Sequence, residues 1–230
     1  MKKDYTAIFV NLDRSGSMGA IASDMIGGFN QFVKSQRELK HGECTLSLYQ
    51  FDNKFEVVYE NKPINDVPPL ILIPRDNTAL YDSVGKTINL VGEQLSKLDE
   101  SQRPDKVLVV IITDGFENAS HEFTVDKVKE MIEHQTNVYK WEFSYIGANQ
   151  DAWAVGGSLG IKSSANLSYA GNAVGTSHMF ESLSSNVSSF RSCGTYNFSK
   201  EDIDAQKKAG ITSQPKSVAV TKSTTTTLTK

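Results

Sequence analysis

The sequence predicts an α/β fold: a doubly wound, mostly parallel sheet with one antiparallel edge strand and helices on both faces. Three observations carry this expectation. Short apolar runs alternate with segments whose apolar residues recur at helical spacing. Two runs, "CTLSLYQF" and "FEVVYE", are separated only by Asp52, Asn53 and Lys54, which reads as a hairpin and supplies the antiparallel edge. Finally, two buried runs end on an aspartate, Asp13 and Asp114. In a doubly wound sheet the functional crevice lies beyond such carboxyl ends.

Taken in order, Thr6 to Leu12 suits a buried central strand. Ile21, Met25, Ile26, Phe29, Phe32 and Val33 then repeat with helical period, predicting a helix that ends near the "LKHGE" turn with Gly42. After the hairpin, "NKPINDVPPLILIPRDNT" holds four of the six prolines and reads as an extended connection, because proline removes a donor and restricts its predecessor. It delivers Thr78 to the start of a second helix through Leu80, Val84, Ile88, Val91 and Leu95. "KVLVVIIT" is the strongest buried strand, and a third helix runs from about Thr124 to His134. The strand "YKWEFSYIG", a helix at "DAWAVGGSLG", a short strand in "ANLSYAG" and an amphipathic helix in "SHMFESLSSNVSSF" complete the alternation. Order is expected to fade after Asp204. The chain thus divides into one domain over 1–200 and an extension over 201–230 whose threonine-rich end reads as disordered.

Composition narrows the function. With 24 basic and 27 acidic residues the formal charge is -3, which argues against nucleic acid as a partner. No segment approaches the roughly 20 apolar residues of a membrane span, and the broken apolar start is no secretory signal, so a cytoplasmic location is expected. Cys44 and Cys193 are too few for a disulfide framework and read as buried free thiols in a reducing compartment.

The chemistry concentrates in "LDRSGSM". Asp13, Ser15 and Ser17 repeat by two as the chain leaves the sheet, so three oxygen side chains can converge. Thr78 and Asp114 come from distant segments, yet parallel topology carries both to the same rim. All five are oxygen donors, without sulfur or imidazole, and suit a hard divalent ion such as Mg²⁺, with Mn²⁺ able to substitute.

The stretches "DRSGSM", "NTALYDS" and "IITDGFEN" resemble the three elements of the metal-ion-dependent adhesion site of the von Willebrand factor A domain, in the family's order. The resemblance covers roughly the first four-fifths of the chain. It implies that Asp13, Ser15 and Ser17 are first-loop ligands, Thr78 the second-loop ligand and Asp114 the third-loop carboxylate, often acting through water. It further implies a protein-binding module and not an enzyme, in which an Asp or Glu of a partner protein completes the metal shell. The segment "ANQDAWAVGGSLGIKSS" and the threonine-rich end resemble bacterial and phage forms. Backbone donors near Gly16, Gly19 and Gly115 are candidates for orienting ligands, and Arg14 reads as a solvated surface residue.

Two other function classes stand beside this one. A Mg²⁺-dependent phosphohydrolase also places an aspartate after its first strand, but the haloacid-dehalogenase type needs a second aspartate where Ser15 stands. A structural or assembly subunit would use the metal only to order loops. "GGSLG" matches the nucleophile-elbow pattern at Ser158 without the strand it requires, and "GKT" at Gly85 to Thr87 lies inside a helix. His121, after the third loop, and Glu117, within it, are candidates for lining the rim, against the preferred reading of solvent-exposed loop residues. Trp141 and Trp153 read as packing.

Overall fold

The computed structural model describes residues 1–210. Its centre is strand β1 (Lys2–Asp13), which is buried from Tyr5 onward and places Ala7, Ile8, Phe9, Val10 and Leu12 in the core. A 3-10 turn (Gly16–Ile21) leads into helix α1 (Ala22–Glu38), which buries Met25, Phe29, Phe32 and Val33. Strands β2 (Glu43–Phe51) and β3 (Phe55–Pro63) form the hairpin. Helix α2 (Leu80–Ser96), strand β4 (Pro104–Thr113) and helix α3 (Val125–Tyr139) follow. Strand β5 (Glu142–Ala148), helix α4 (Ala152–Ser158), strand β6 (Asn166–Tyr169), helix α5 (Ala173–Cys193) and helix α6 (Lys200–Lys208) complete the order.

The six strands lie in the order β3-β2-β1-β4-β5-β6. Only the β2–β3 pair is antiparallel; β1 pairs in parallel with both β2 and β4. From β1 the chain therefore moves first to one side and later to the other. Right-handed crossovers in opposite directions put α1 and α3 on opposite faces. Contacts agree, with α1 packed on α5 and α2 on α3. This is the doubly wound sheet the sequence predicts, and its strand order reverses at β1. The register sets Leu12 beside Ile112, so Asp13 and Asp114 emerge from adjacent strands.

Helix ends obey local chemistry. The Thr124 side chain accepts from Lys127 N at 3.3 Å and starts α3. Asn172 Oδ1 accepts from Gly175 N at 2.8 Å and starts α5, which Gly194 closes at φ 75°, a left-handed conformation suited to glycine.

Helix α1 ends at Glu38, against the "LKHGE" turn, where Leu39 is already extended. Two local expectations need correction. Order does not fade after Asp204. Helix α6 reaches Lys208, started by a reciprocal capping box between Ser199 and Asp202. Its buried residue is polar: Gln206 Oε1 accepts from Ala170 N at 3.1 Å and its Nε2 donates to Gly175 O at 3.0 Å. An anchor of that kind leaves no apolar stripe for periodicity to detect. Cys44 is buried as expected, but Cys193 is exposed at the end of α5. Ser158 ends a helix that no nucleophile turn precedes, and its hydroxyl donates to Val155 O at 2.7 Å. The threonine-rich end lies outside the described residues.

Candidate metal centre

The rim is built from three loops that follow β1, precede α2 and follow β4. In the first, Asp13 is fully buried at the strand end, where Oδ1 accepts from Ser15 N at 2.6 Å. That short turn sends the Ser15 hydroxyl toward Ser17, 3.0 Å away. Ser17 Oγ in turn donates to Asp114 Oδ1 at 2.6 Å. Asp13, Ser15, Ser17 and Asp114 are thus joined in one hydrogen-bonded run spanning two loops, with the Ser15 backbone N–H as its first link.

Thr78 is 2 % exposed and reaches the rim from the second loop. Its Oγ1 would lie 2.7 Å from a Cβ built on Gly115, so the absence of a side chain at that glycine keeps the hydroxyl uncovered. Backbone bonds hold the loops together: Gly16 N donates to Asp76 O at 3.0 Å and Asn118 N to Thr78 O at 3.0 Å. Asn118 Oδ1 also accepts from Thr78 N at 2.9 Å. Among the described residues, the Thr78 hydroxyl makes no hydrogen bond to Ser15 or Ser17.

The electrostatics are those of a desolvated acidic pair. Burial pushes Asp13 from its ordinary 3.8 up to about 6, against hydrogen bonds from Thr113 and Ser15 and with a further upward push from the Asp114 charge. Burial likewise raises Asp114, opposed by its bond from Ser17. Beneath them lie Tyr145 and Tyr169, both fully buried, whose hydroxyls burial holds neutral, with the Asp13 charge adding to that effect. Among the described residues neither Asp13 nor Asp114 has an ion-pair partner. One buried and one half-buried carboxylate, hydroxyl oxygens between them and, among the described residues, no cation paired with either form a donor set that fits a hard divalent ion. The set has only two carboxylates and no His or Cys, so no group of three such ligating side chains occurs among the described residues.

Several residues have roles that the sequence reading did not give them. Arg14 is buried and not solvated. Its Nε donates to Asp52 Oδ2 at 2.9 Å and its guanidinium pairs with Glu56 at 2.6 Å, so it faces away from Asp13. Arg75 Nε joins the same Asp52 oxygen at 2.7 Å. Thr113 donates to Asp13 Oδ2 at 2.6 Å, a partner that the β1–β4 register supplies. Glu117 does not line the rim. Its carboxylate is consumed by Ala119 N, Ser120 N, Ser120 Oγ and Tyr81 N, all within 3.0 Å. His121 is exposed and contributes its backbone N–H to Asp82 at 2.9 Å. Gly115 N donates to Thr113 Oγ1 at 3.1 Å, and Gly16 acts through Asp76; Gly19 has no comparable contact.

No protein-family model matches this chain, and no curated protein matches it. Solved structures do. The D319A mutant of the PilB minor pilin from Streptococcus sanguinis superposes with TM-score 0.59 at 12% identity, over 80% of this chain and 61% of that one. The vWF domain of the type V pili tip protein Mfa5 from Porphyromonas gingivalis gives 0.55 at 9% identity, over 79% of this chain and 94% of that one. Proximal thread matrix protein 1 from the mussel byssus, with a zinc-occupied MIDAS motif, gives 0.55 at 14% identity, over 80% of this chain and 46% of that one. The chain thus spans about three-fifths of the pilin and under half of the byssus protein. At such identities the likeness is one of fold.

Proposed function

We propose that this chain, which has the von Willebrand factor A fold, is a divalent-metal-dependent protein-binding module. Asp13, Ser15, Ser17, Thr78 and Asp114 would hold Mg²⁺, with Mn²⁺ able to substitute, and an Asp or Glu of a partner protein would complete the shell. The observation that carries this reading is the hydrogen-bonded run from Asp13, through the Ser15 backbone N–H and the Ser15 and Ser17 hydroxyls, to Asp114, buried in part and unmatched by any cation among the described residues. With the Asp114 carboxylate acting through water, only one carboxylate would bind the divalent ion directly, so the ion would keep positive charge and attract an outside carboxylate. Support also comes from the neighbours in fold, which include pilus proteins and a byssus matrix protein with zinc at its motif. The same oxygen donors favour Mg²⁺ over zinc, which prefers nitrogen and sulfur.

Calorimetric titration with Mg²⁺, Mn²⁺ and Zn²⁺ tests the metal half of the proposal. Wild-type protein is expected to bind Mg²⁺, and Asp13→Ala and Asp114→Ala to lose that binding while keeping the circular dichroism of the fold. Unchanged Mg²⁺ affinity in either variant would overturn the ligand assignment. Hydrolysis of a generic phosphoester that vanishes with Asp13→Ala would favour the enzymatic reading instead.

A further inference from the structure

Phe116 is 63% exposed and stands two residues after Asp114. An apolar ring left in water forgoes the favourable burial that a flexible loop would find by folding back on the core. This loop is not free to do so. On one side Gly115 is tied to Thr113 Oγ1 through its N–H at 3.1 Å and packs under Thr78. On the other side Glu117 has both carboxylate oxygens occupied, and Asn118 bonds Thr78 in both directions. Beyond that, Asp82 accepts three backbone N–H groups, from His121, Glu122 and Phe123, at 2.8–2.9 Å. The loop is fixed before and after Phe116, and the ring is held outward by its neighbours.

Deepening the reading above and resting on it, we infer that Phe116 is a specificity residue of the metal face, and that the partner presents its carboxylate with an aliphatic or aromatic side chain two or three positions away. The spacing follows from chain geometry. Two residues span at most about 7 Å, so the Phe116 ring stands one short peptide step from the Asp114 backbone. An extended peptide whose acid sits over the metal advances by a similar distance in two residues. Glu117, the charged neighbour of Phe116, faces inward and does not compete. The chemistry selected is thus an acidic residue beside an apolar one. A uniformly acidic or phosphorylated segment would leave the ring in water.

The test is an array of short peptides, each with one central aspartate and either apolar or polar neighbours, probed with the full chain in Mg²⁺ and again in chelator. The expected result is a Mg²⁺-dependent signal about tenfold stronger on peptides with an apolar neighbour. Phe116→Ser should erase that preference and Phe116→Leu should retain it. The Mg²⁺-induced rise in Tm reports that each variant still folds and loads metal. Equal signal on both peptide sets, or a preference that survives in Phe116→Ser, would overturn the inference while leaving the metal-dependent reading intact. A signal indifferent to chelator on every peptide would overturn that reading, and this inference with it.

Discussion

Oδ2 of Asp52 accepts a hydrogen bond from Nε of Arg14 at 2.9 Å, with both side chains withdrawn from solvent. Asp52 lies in the hairpin turn, and through this pair it grips the residue next to Asp13. Arg75 Nε on the same oxygen, and Ala79 N at 2.8 Å from the Asp52 carbonyl, extend the grip to the loop that carries Thr78. Burial alone would raise this carboxyl; the bonds from Arg75, Lys54 N and Arg14 outweigh it and hold the group below the usual range.

Asp52→Ala should therefore cost about 3 kcal/mol, the low end for breaking a buried pair, because Arg14 keeps Glu56. Mg²⁺ affinity should fall as well, although none of the five proposed ligands is altered. Urea unfolding and calorimetric titration measure the two effects. A variant that unfolds more readily but binds Mg²⁺ as before would show that the hairpin turn does not position the rim.

The Asp13 carboxyl gives a pH signature. Its folded value near 6 stands above the ordinary 3.8, so its ionisation disfavours the fold. Metal-free protein should lose roughly 3 kcal/mol of stability as pH rises from about 4 to about 6, with no further loss from this group above that. Mg²⁺ favours the ionised form, so its stabilising effect should grow across the same interval. Tm measured with and without Mg²⁺ checks this, and Asp13→Asn should flatten both curves.

Gly115→Ala sets a methyl carbon 2.7 Å from Thr78 Oγ1. The hydroxyl must then turn or retreat. We expect Mg²⁺ affinity to fall about tenfold, which is about 1.4 kcal/mol, with a modest drop in Tm. Titration of this variant beside Thr78→Val tells whether the two act on the same oxygen: the double variant should bind no more weakly than the weaker single one.

Gln206→Ala removes the side chain that satisfies Ala170 N and Gly175 O. The expected loss is about 2 kcal/mol, since two largely buried backbone groups are left without partners. Chemical denaturation measures it. No loss would mean that α6 merely rests on the domain.

The sheet and the clustering of the first-loop oxygens were legible because their signals are local. Buried parallel strands are continuous apolar runs, and Asp13, Ser15 and Ser17 stand side by side in one loop. What escaped was set by partners far off in sequence. Arg14 read as solvated because Asp52 and Glu56, 38 and 42 residues further on, become neighbours only when β2 and β3 lie beside β1. Glu117 read as a rim residue because nothing in "DGFEN" foretells that its oxygens cap the start of α2. Helix α6 was cut short because a buried glutamine, and no apolar stripe, anchors it.

The adjacency of β1 and β4 also has a mechanical side. A tug on anything held above Asp13 and Asp114 would be transmitted lengthwise into the two middle strands, whose evenly spaced, slanted cross-links run across the pull. Separating them would mean sliding many bonds at once, whereas the outer strands β3 and β6 could be peeled one bond at a time. The rim thus sits where the sheet is hardest to tear.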